Sequence, residues 1–195
     1  MTEYLRRESV TVEDYVDIDL FYELTKFYYR EADLLDEGRY VDWLECFDDD
    51  LLYWAPTRTN RLRRQQALSI SDYGELAFYD ETKESLAWRI RRFDTGMAWA
   101  EDPPSRTRHL ITNLTARHGK DAGEAAGEDT HTGEDIIEVR TNFLLYRTRL
   151  EHEENLFAGT RTDVLRKTDD GFKIYDRRIL LDVNVLKSKN ISTFF

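Results

Sequence analysis

Apolar residues at Leu20, Leu24, Phe27, Tyr28, Leu34 and Leu35 recur close to the i, i+4, i+7, i+8 rhythm of a helix buried along one face. Asp17 or Asp19 supplies the N-cap, and Gly38 suits the left-handed position that closes such a helix. Tyr40, Trp43, Leu44 and Phe47 restart the rhythm for about two turns, which predicts a helix pair with a tight bend. The acidic triplet Asp48-Asp49-Asp50 is expected to break the second helix, and the apolar run Leu51 to Ala55, halted by Pro56, reads as a strand. The polar, basic RTNRLRRQQ after it reads as a solvated loop or edge segment, with an anion site as the alternative. Asp80 or Thr82 can then cap a helix that turns Leu86, Ile90 and Phe93 inward. Glu81 and Glu84 at its start and Arg89, Arg91 and Arg92 near its end complement the helix dipole.

From Arg106 the pattern changes. Four stretches, Arg106 to Arg117, Asp135 to Leu150, Asn155 to Arg166 and Phe172 to Leu186, carry Val, Ile, Thr, Phe and Tyr with partial alternation and predict long antiparallel strands. Asp170-Gly171 sits between two of these runs and marks a hairpin, because glycine accepts the positive φ of the turn. His118 to Glu134, rich in glycine and poor in apolar mass, is expected to be an exposed, mobile hairpin tip. Helices followed by a strand meander imply an α+β fold, a single domain over residues 1–195 in which a strongly curved antiparallel sheet wraps the N-terminal helices as a half-open cone. The inside of such a cone either encloses a ligand pocket or is filled with side chains, and ten Phe, eleven Tyr and four Trp are available to fill it.

Composition narrows the class. The chain of 195 residues is long enough to bury roughly 70% of its unfolded surface. Apolar runs such as Ile179-Leu180-Leu181 are too short to cross a bilayer, and MTEYLRRESV lacks the apolar core of a signal peptide, so a cytoplasmic location is expected. A formal charge of -11 disfavours nucleic acid as a partner, since phosphate binding needs clustered cations. The single cysteine, Cys46, excludes an internal disulfide and falls in an apolar helical pattern, as a small core residue would.

Candidate chemistry is sparse. A Rieske cluster requires two thiolates and two imidazoles, which one cysteine does not satisfy. A mononuclear non-haem iron site requires two histidines and a carboxylate converging on one face. The four histidines are poorly placed for that: His118 and His131 lie on the glycine-rich tip, and His109 and His152 on different predicted strands. No catalytic, cofactor-binding or metal-ligating residue is therefore assigned. The sharpest enzymatic alternative is a stand-alone lyase or isomerase with His109 as proton carrier and Asp163 or Asp182 as its partner, which requires an open polar cavity. A cone that only carries an apolar ligand is a further alternative. No phosphate-cradling glycine motif or GxSxG elbow is present.

Three segments carry a resemblance: FYYREADLLDEGRYVDWL at Phe27 to Leu44, MAWAEDPPSRTRHLITN at Met97 to Asn113, and ILLDVNVLKSKNISTFF at Ile179 to Phe195. Together they resemble the small (β) subunits of Rieske-type aromatic-ring-hydroxylating dioxygenases, most closely the biphenyl, toluene and benzene branch. The resemblance runs over nearly the whole chain, with His118 to Glu134 as the departure. It implies a cone similar to nuclear transport factor 2 and scytalone dehydratase, a mainly structural subunit of an α3β3 hetero-hexamer, and activity only within that complex. In that family a separate α subunit holds the Rieske [2Fe-2S] cluster and the mononuclear Fe(II). Electrons come from NADH through a reductase and usually a ferredoxin, and the product is an arene cis-dihydrodiol.

Two segments are candidates for subunit contact. Phe194 and Phe195 make an unusual solvated tail, so docking against a neighbouring subunit is expected, with packing on the chain's own domain as the alternative. Trp99 to Arg108 combines an aromatic anchor, a diproline and arginines, with Trp99, Asp102, Pro103, Arg106 and Arg108 as its candidate contacts. An ordinary loop entering the first long strand is the alternative there. No cis peptide bond is predicted before Pro104.

Overall fold

The computed structural model describes residues 15–94, 101–119, 136–186 and 191–195. The element order is α1 (Ile18–Asp36), α2 (Tyr40–Leu44), β1 (Phe47–Pro56), β2 (Ala77–Glu81), α3 (Lys83–Asp94), β3 (Arg106–His118), β4 (Ile136–Arg149), β5 (Glu153–Thr168) and β6 (Gly171–Leu181). The Asp17 carboxylate accepts the Leu20 N–H at 2.8 Å and caps α1, and Gly38 takes φ +70° between α1 and α2. Leu24, Tyr28, Leu34 and Leu35 form the buried stripe of α1. No described helix is long and apolar enough to cross a membrane.

The six strands form one sheet in the order β2-β1-β6-β5-β4-β3. Strands β3 to β6 are a long antiparallel meander, as their alternation predicts, with Gly171 at φ +127° in the β5–β6 turn. The pairing of β1 with β6 is parallel, which departs from the expected all-antiparallel sheet. The two strands are far apart in sequence, so no hairpin fixes their relative direction. Alternate residues of β4 and β5, from Val139 to Leu145 and from Phe157 to Leu165, are buried on the face that α1 covers.

Several boundaries differ from the sequence reading. The acidic triplet does not precede β1 but lies within it. Arg166 bonds Asp48 at 3.0 Å and Asp50 at 2.8 Å, and Lys83 bonds Asp49 at 2.8 Å, so tertiary partners override poor strand propensity. Asp80 and Glu81 belong to β2, paired with Trp54 and Tyr53, and do not open α3. Thr82 is the cap: its hydroxyl accepts the Ser85 N–H at 3.3 Å while the Ser85 hydroxyl accepts the Thr82 N–H at 2.9 Å. Strand β6 stops at Leu181, short of Leu186. The RTNRLRRQQ segment holds a 3-10 turn, Arg63–Leu68, exposed throughout. Of the expected loop, only His118 and Gly119 are described; the rest lies outside the described residues.

The end of the chain corrects a further expectation. Phe194 and Phe195 are 3% and 1% exposed, inserted into the cone. Phe194 stacks on Trp43 with ring centroids 4.8 Å apart, and Phe195 meets Phe157 edge-on at 5.4 Å and Phe143 at 5.6 Å. The backbone is held as firmly: Tyr53 Oη donates to the Phe195 carbonyl at 2.9 Å, and Tyr79 Oη to that of Thr193 at 2.7 Å. Both rings are therefore spent in their own core and do not form a docking surface, because burying an aromatic side chain is worth roughly 1.5–3 kcal/mol.

Candidate functional site

His109, the candidate proton carrier, lies on β3. Its Nδ1 lies 2.6 Å from Asp36 Oδ1, at the end of α1, and its Nε2 lies 3.2 Å from the Phe194 carbonyl. The His109 backbone N–H also bonds the Asp36 carboxylate, at 3.0 Å to Oδ2. Burial pushes the Asp36 carboxyl up, but these bonds from His109 outweigh it and hold the group below its usual range. The His109 side chain is 3% exposed, and both ring nitrogens are committed to protein oxygens. No face of the ring is open to a substrate. Neither expected partner reaches it: Asp163 is bound by Arg177 and Tyr28, and Asp182 takes Arg58 at 3.2 Å.

The interior of the cone holds a second polar cluster that sequence reasoning missed. Glu31, from α1, accepts from Arg161 Nη1 at 3.1 Å, from Trp43 Nε1 at 3.0 Å and from Arg177 Nη1. Arg177 also clasps Asp163 and donates to the Phe195 carbonyl at 3.1 Å, while Tyr28 Oη donates to Asp163 at 2.8 Å. All four charged residues are at most 1% exposed. Burial drives the Glu31 carboxyl up, yet Arg161, Arg177 and Trp43 together bring it down to about 2. Two carboxylates are matched in charge by two guanidiniums, with Arg161 Nη2 buried and left without a hydrogen-bond partner, and the network is suited to fixing α1 against β5 and β6 and not to proton transfer.

A trace of this network is present in the sequence. Glu31 falls on the apolar stripe with Leu24, Tyr28 and Leu35, and Arg161 and Asp163 share the inward parity of Phe157 and Leu165. Charges at inward positions of two elements require partners.

Residues 30–188 match the family described as ring hydroxylating beta subunit. The chain belongs to that family. The biphenyl 2,3-dioxygenase subunit beta of Rhodococcus jostii (strain RHA1) is 36% identical over 182 residues, covering 92% of this chain and 91% of its own. The chlorobenzene dioxygenase subunit beta of Cupriavidus sp. (strain PS12) is 37% identical over 179 residues, covering 91% of this chain and 89% of its own. A solved structure of naphthalene 1,2-dioxygenase with indole bound in the active site shares the fold, with a TM-score of 0.75 at 24% identity over 92% of this chain and 88% of the other.

Trp99 lies outside the described residues. Asp102 and Pro103 are exposed, and Arg149 ties the segment down by donating to both of their carbonyls at 2.9 Å. A cis peptide bond is present, at Asp102–Pro103. Arg106 and Arg108 project from β3 into solvent, with Arg108 Nη1 3.4 Å from Asp36. Among the described residues, no three His, Cys, Asp or Glu side chains are grouped to hold a metal ion. His152 is exposed in the β4–β5 turn and His131 lies outside the described residues. Burial pushes the Cys46 thiol up to about 12, which keeps it an unreactive packing residue.

Proposed function

We propose that this chain is the structural subunit of an α3β3 aromatic-ring dioxygenase acting on an arene of the biphenyl, benzene or alkylbenzene type. The observation that carries the reading is the likeness to biphenyl and chlorobenzene dioxygenase β subunits along about nine-tenths of the chain. The interior geometry supports it, since Phe194, Phe195 and the Glu31 network occupy the space that a lyase or ligand carrier would need. In this reading the [2Fe-2S] cluster and Fe(II) reside on the α subunit, and NADH-derived electrons arrive through a separate reductase. The contribution of this chain is a rigid body on which α subunits are held in place. Trp99, Asp102, Pro103, Arg106 and Arg108 remain the proposed contacts with a neighbouring subunit.

Co-expression with a dioxygenase α subunit of the biphenyl branch tests the proposal. The expected result is a hexamer that forms a cis-dihydrodiol from an arene, while this chain purified alone holds no stoichiometric iron and converts no arene. Iron or turnover in the isolated chain, or failure to capture any α subunit of that branch, would overturn it.

A further inference from the structure

Both nitrogens of the His109 ring face oxygens: Nδ1 lies 2.6 Å from Asp36 Oδ1, and Nε2 lies 3.2 Å from the Phe194 carbonyl oxygen. An ionised carboxylate and a carbonyl only accept, whereas a neutral imidazole has one donor and one acceptor. Either neutral tautomer therefore sets a ring lone pair against an oxygen lone pair. The clash is buried, because the side chains of His109 and Asp36 are 3% and 6% exposed. A protonated Asp36 would relieve one side of it. Burial favours that form, but the bonds from His109 outweigh burial and keep the carboxyl ionised. An imidazolium, with an N–H on each nitrogen, satisfies both contacts.

The neighbouring groups keep their charge. Arg108 Nη1 lies 3.4 Å from Asp36 Oδ2 on the exposed side of β3. Tyr40, at the start of α2, lies edge-on to Phe194 at 5.7 Å, and burial pushes its hydroxyl up, so it stays a neutral phenol. Leu145 sits opposite His109 on β4 and brings no charge. Further along β4, Arg147 is matched by Glu101 at 2.8 Å; burial pushes the Glu101 carboxyl up, but bonds from Ser192, Ser105 and Arg147 keep it ionised. Of this set, the imidazole is the group able to change charge between about pH 5 and 8.

What the ring holds is residues 191–195. Phe194 fills the cone beside Trp43 and Phe93, and the Phe195 N–H bonds Tyr53 Oη at 2.9 Å. One imidazole thus joins the end of α1, strand β3 and this aromatic plug.

We propose that His109 is a charged latch: as an imidazolium it bridges the Asp36 carboxylate and the Phe194 carbonyl and keeps residues 191–195 seated in the cone, and loss of its second ring proton releases that carbonyl. The Nδ1–H bond to Asp36 survives in the neutral ring, so the break falls on the side of the plug. Alkaline pH then loosens the plug while α1 and the sheet stay folded.

Nitrogen-15 spectra of the histidine rings and amide hydrogen exchange, both on the full chain, test the latch. In the wild type at about pH 7 both His109 nitrogens are expected to carry protons, and on raising the pH Nε2 is expected to lose its proton while Nδ1 keeps its own. Once that proton is gone, the Phe195 amide is expected to exchange about tenfold faster relative to an unstructured peptide at the same pH, with Leu145 in the middle of β4 as protected as before. Asp36→Asn removes the charge that favours the imidazolium. Its His109 ring is expected to hold one proton at about pH 7, with the Phe195 amide already at the fast rate. The wild-type titration decides the question even where Asp36→Asn does not fold. One unprotonated His109 nitrogen in the wild type at about pH 7 would overturn the proposal. So would a Phe195 amide equally protected on both sides of the ring's titration, or one that loosens only together with Leu145.

Discussion

Arg177 clasps Asp163 through two parallel bonds, Nε to Oδ1 at 3.0 Å and Nη2 to Oδ2 at 2.7 Å, and neither residue has exposed surface. The same guanidinium bonds Glu31, so three elements meet at one buried cation. Removing one member leaves an uncompensated charge in the core. Glu31→Gln is expected to lower unfolding stability by about 3–5 kcal/mol, and Arg177→Met by a similar amount. Urea denaturation of the isolated chain measures both; a loss under 1 kcal/mol would mean that the network is solvated in solution.

The same group sets an acid limit. The Glu31 carboxyl is lowered in the folded chain from an ordinary value of 4.5 to about 2, so at intermediate pH the unfolded chain binds a proton that the folded chain does not. Its contribution is complete above about pH 4.5 and is lost as pH falls toward 2, on the order of 3 kcal/mol in all. Melting temperature measured from pH 6 to pH 2.5 should fall with a slope that flattens in Glu31→Gln. Parallel profiles for the two proteins would contradict this.

Phe195→Ala tests where the C-terminal aromatics act. With the ring packed on Phe143, Phe157 and Tyr79, the truncation is expected to cost the isolated chain about 3–5 kcal/mol. A ring that served only a neighbouring subunit would leave the isolated chain unchanged and weaken assembly alone. Comparing denaturation midpoints with and without the α subunit separates the two.

Gly159 permits a close approach of strands. A Cβ there would collide with the Leu180 carbonyl oxygen and lie 3.0 Å from Phe143 Cζ. Because the first of these is backbone, Gly159→Ala is expected to destabilise the chain by about 1–3 kcal/mol. Gly74→Ala, with nothing within 4 Å but φ at +86°, separates steric clash from backbone strain, and its cost is expected to be about 1 kcal/mol. A Gly159→Ala protein as stable as wild type would show that β5 and β6 can part there.

Repetitive elements were legible because their cause is local. The stripe of α1, the cap at Asp17, the turn at Gly171 and the four long strands each depend on residues a few positions apart. The boundaries at Asp48 to Asp50 and at Asp80 and Glu81 differ from what local propensity implies because distant partners, Arg166 and Lys83 for the triplet and β1 for the pair, determine the local conformation. The His109 site shows the same limit. Its residue was identifiable as unusual on a strand, but its partner Asp36 lies 73 positions away and the candidates Asp163 and Asp182 were claimed by arginines.

The sequence by itself determined the α+β class, the long strand meander, the shortage of metal ligands and, through full-length likeness, the family. These follow from periodicity, composition and similarity, all properties of residue order. Only the tertiary structure decided that Phe194 and Phe195 turn inward, that β1 runs parallel to β6, and that Glu31, Arg161, Asp163 and Arg177 neutralise one another in the cone. Those outcomes depend on which side chains meet across separations that range from 14 positions for Asp163 and Arg177 to 146 for Glu31 and Arg177. Residue types alone do not encode that pairing; the free energy of burying rings and matching charges selects it once the sheet has curved around the helix.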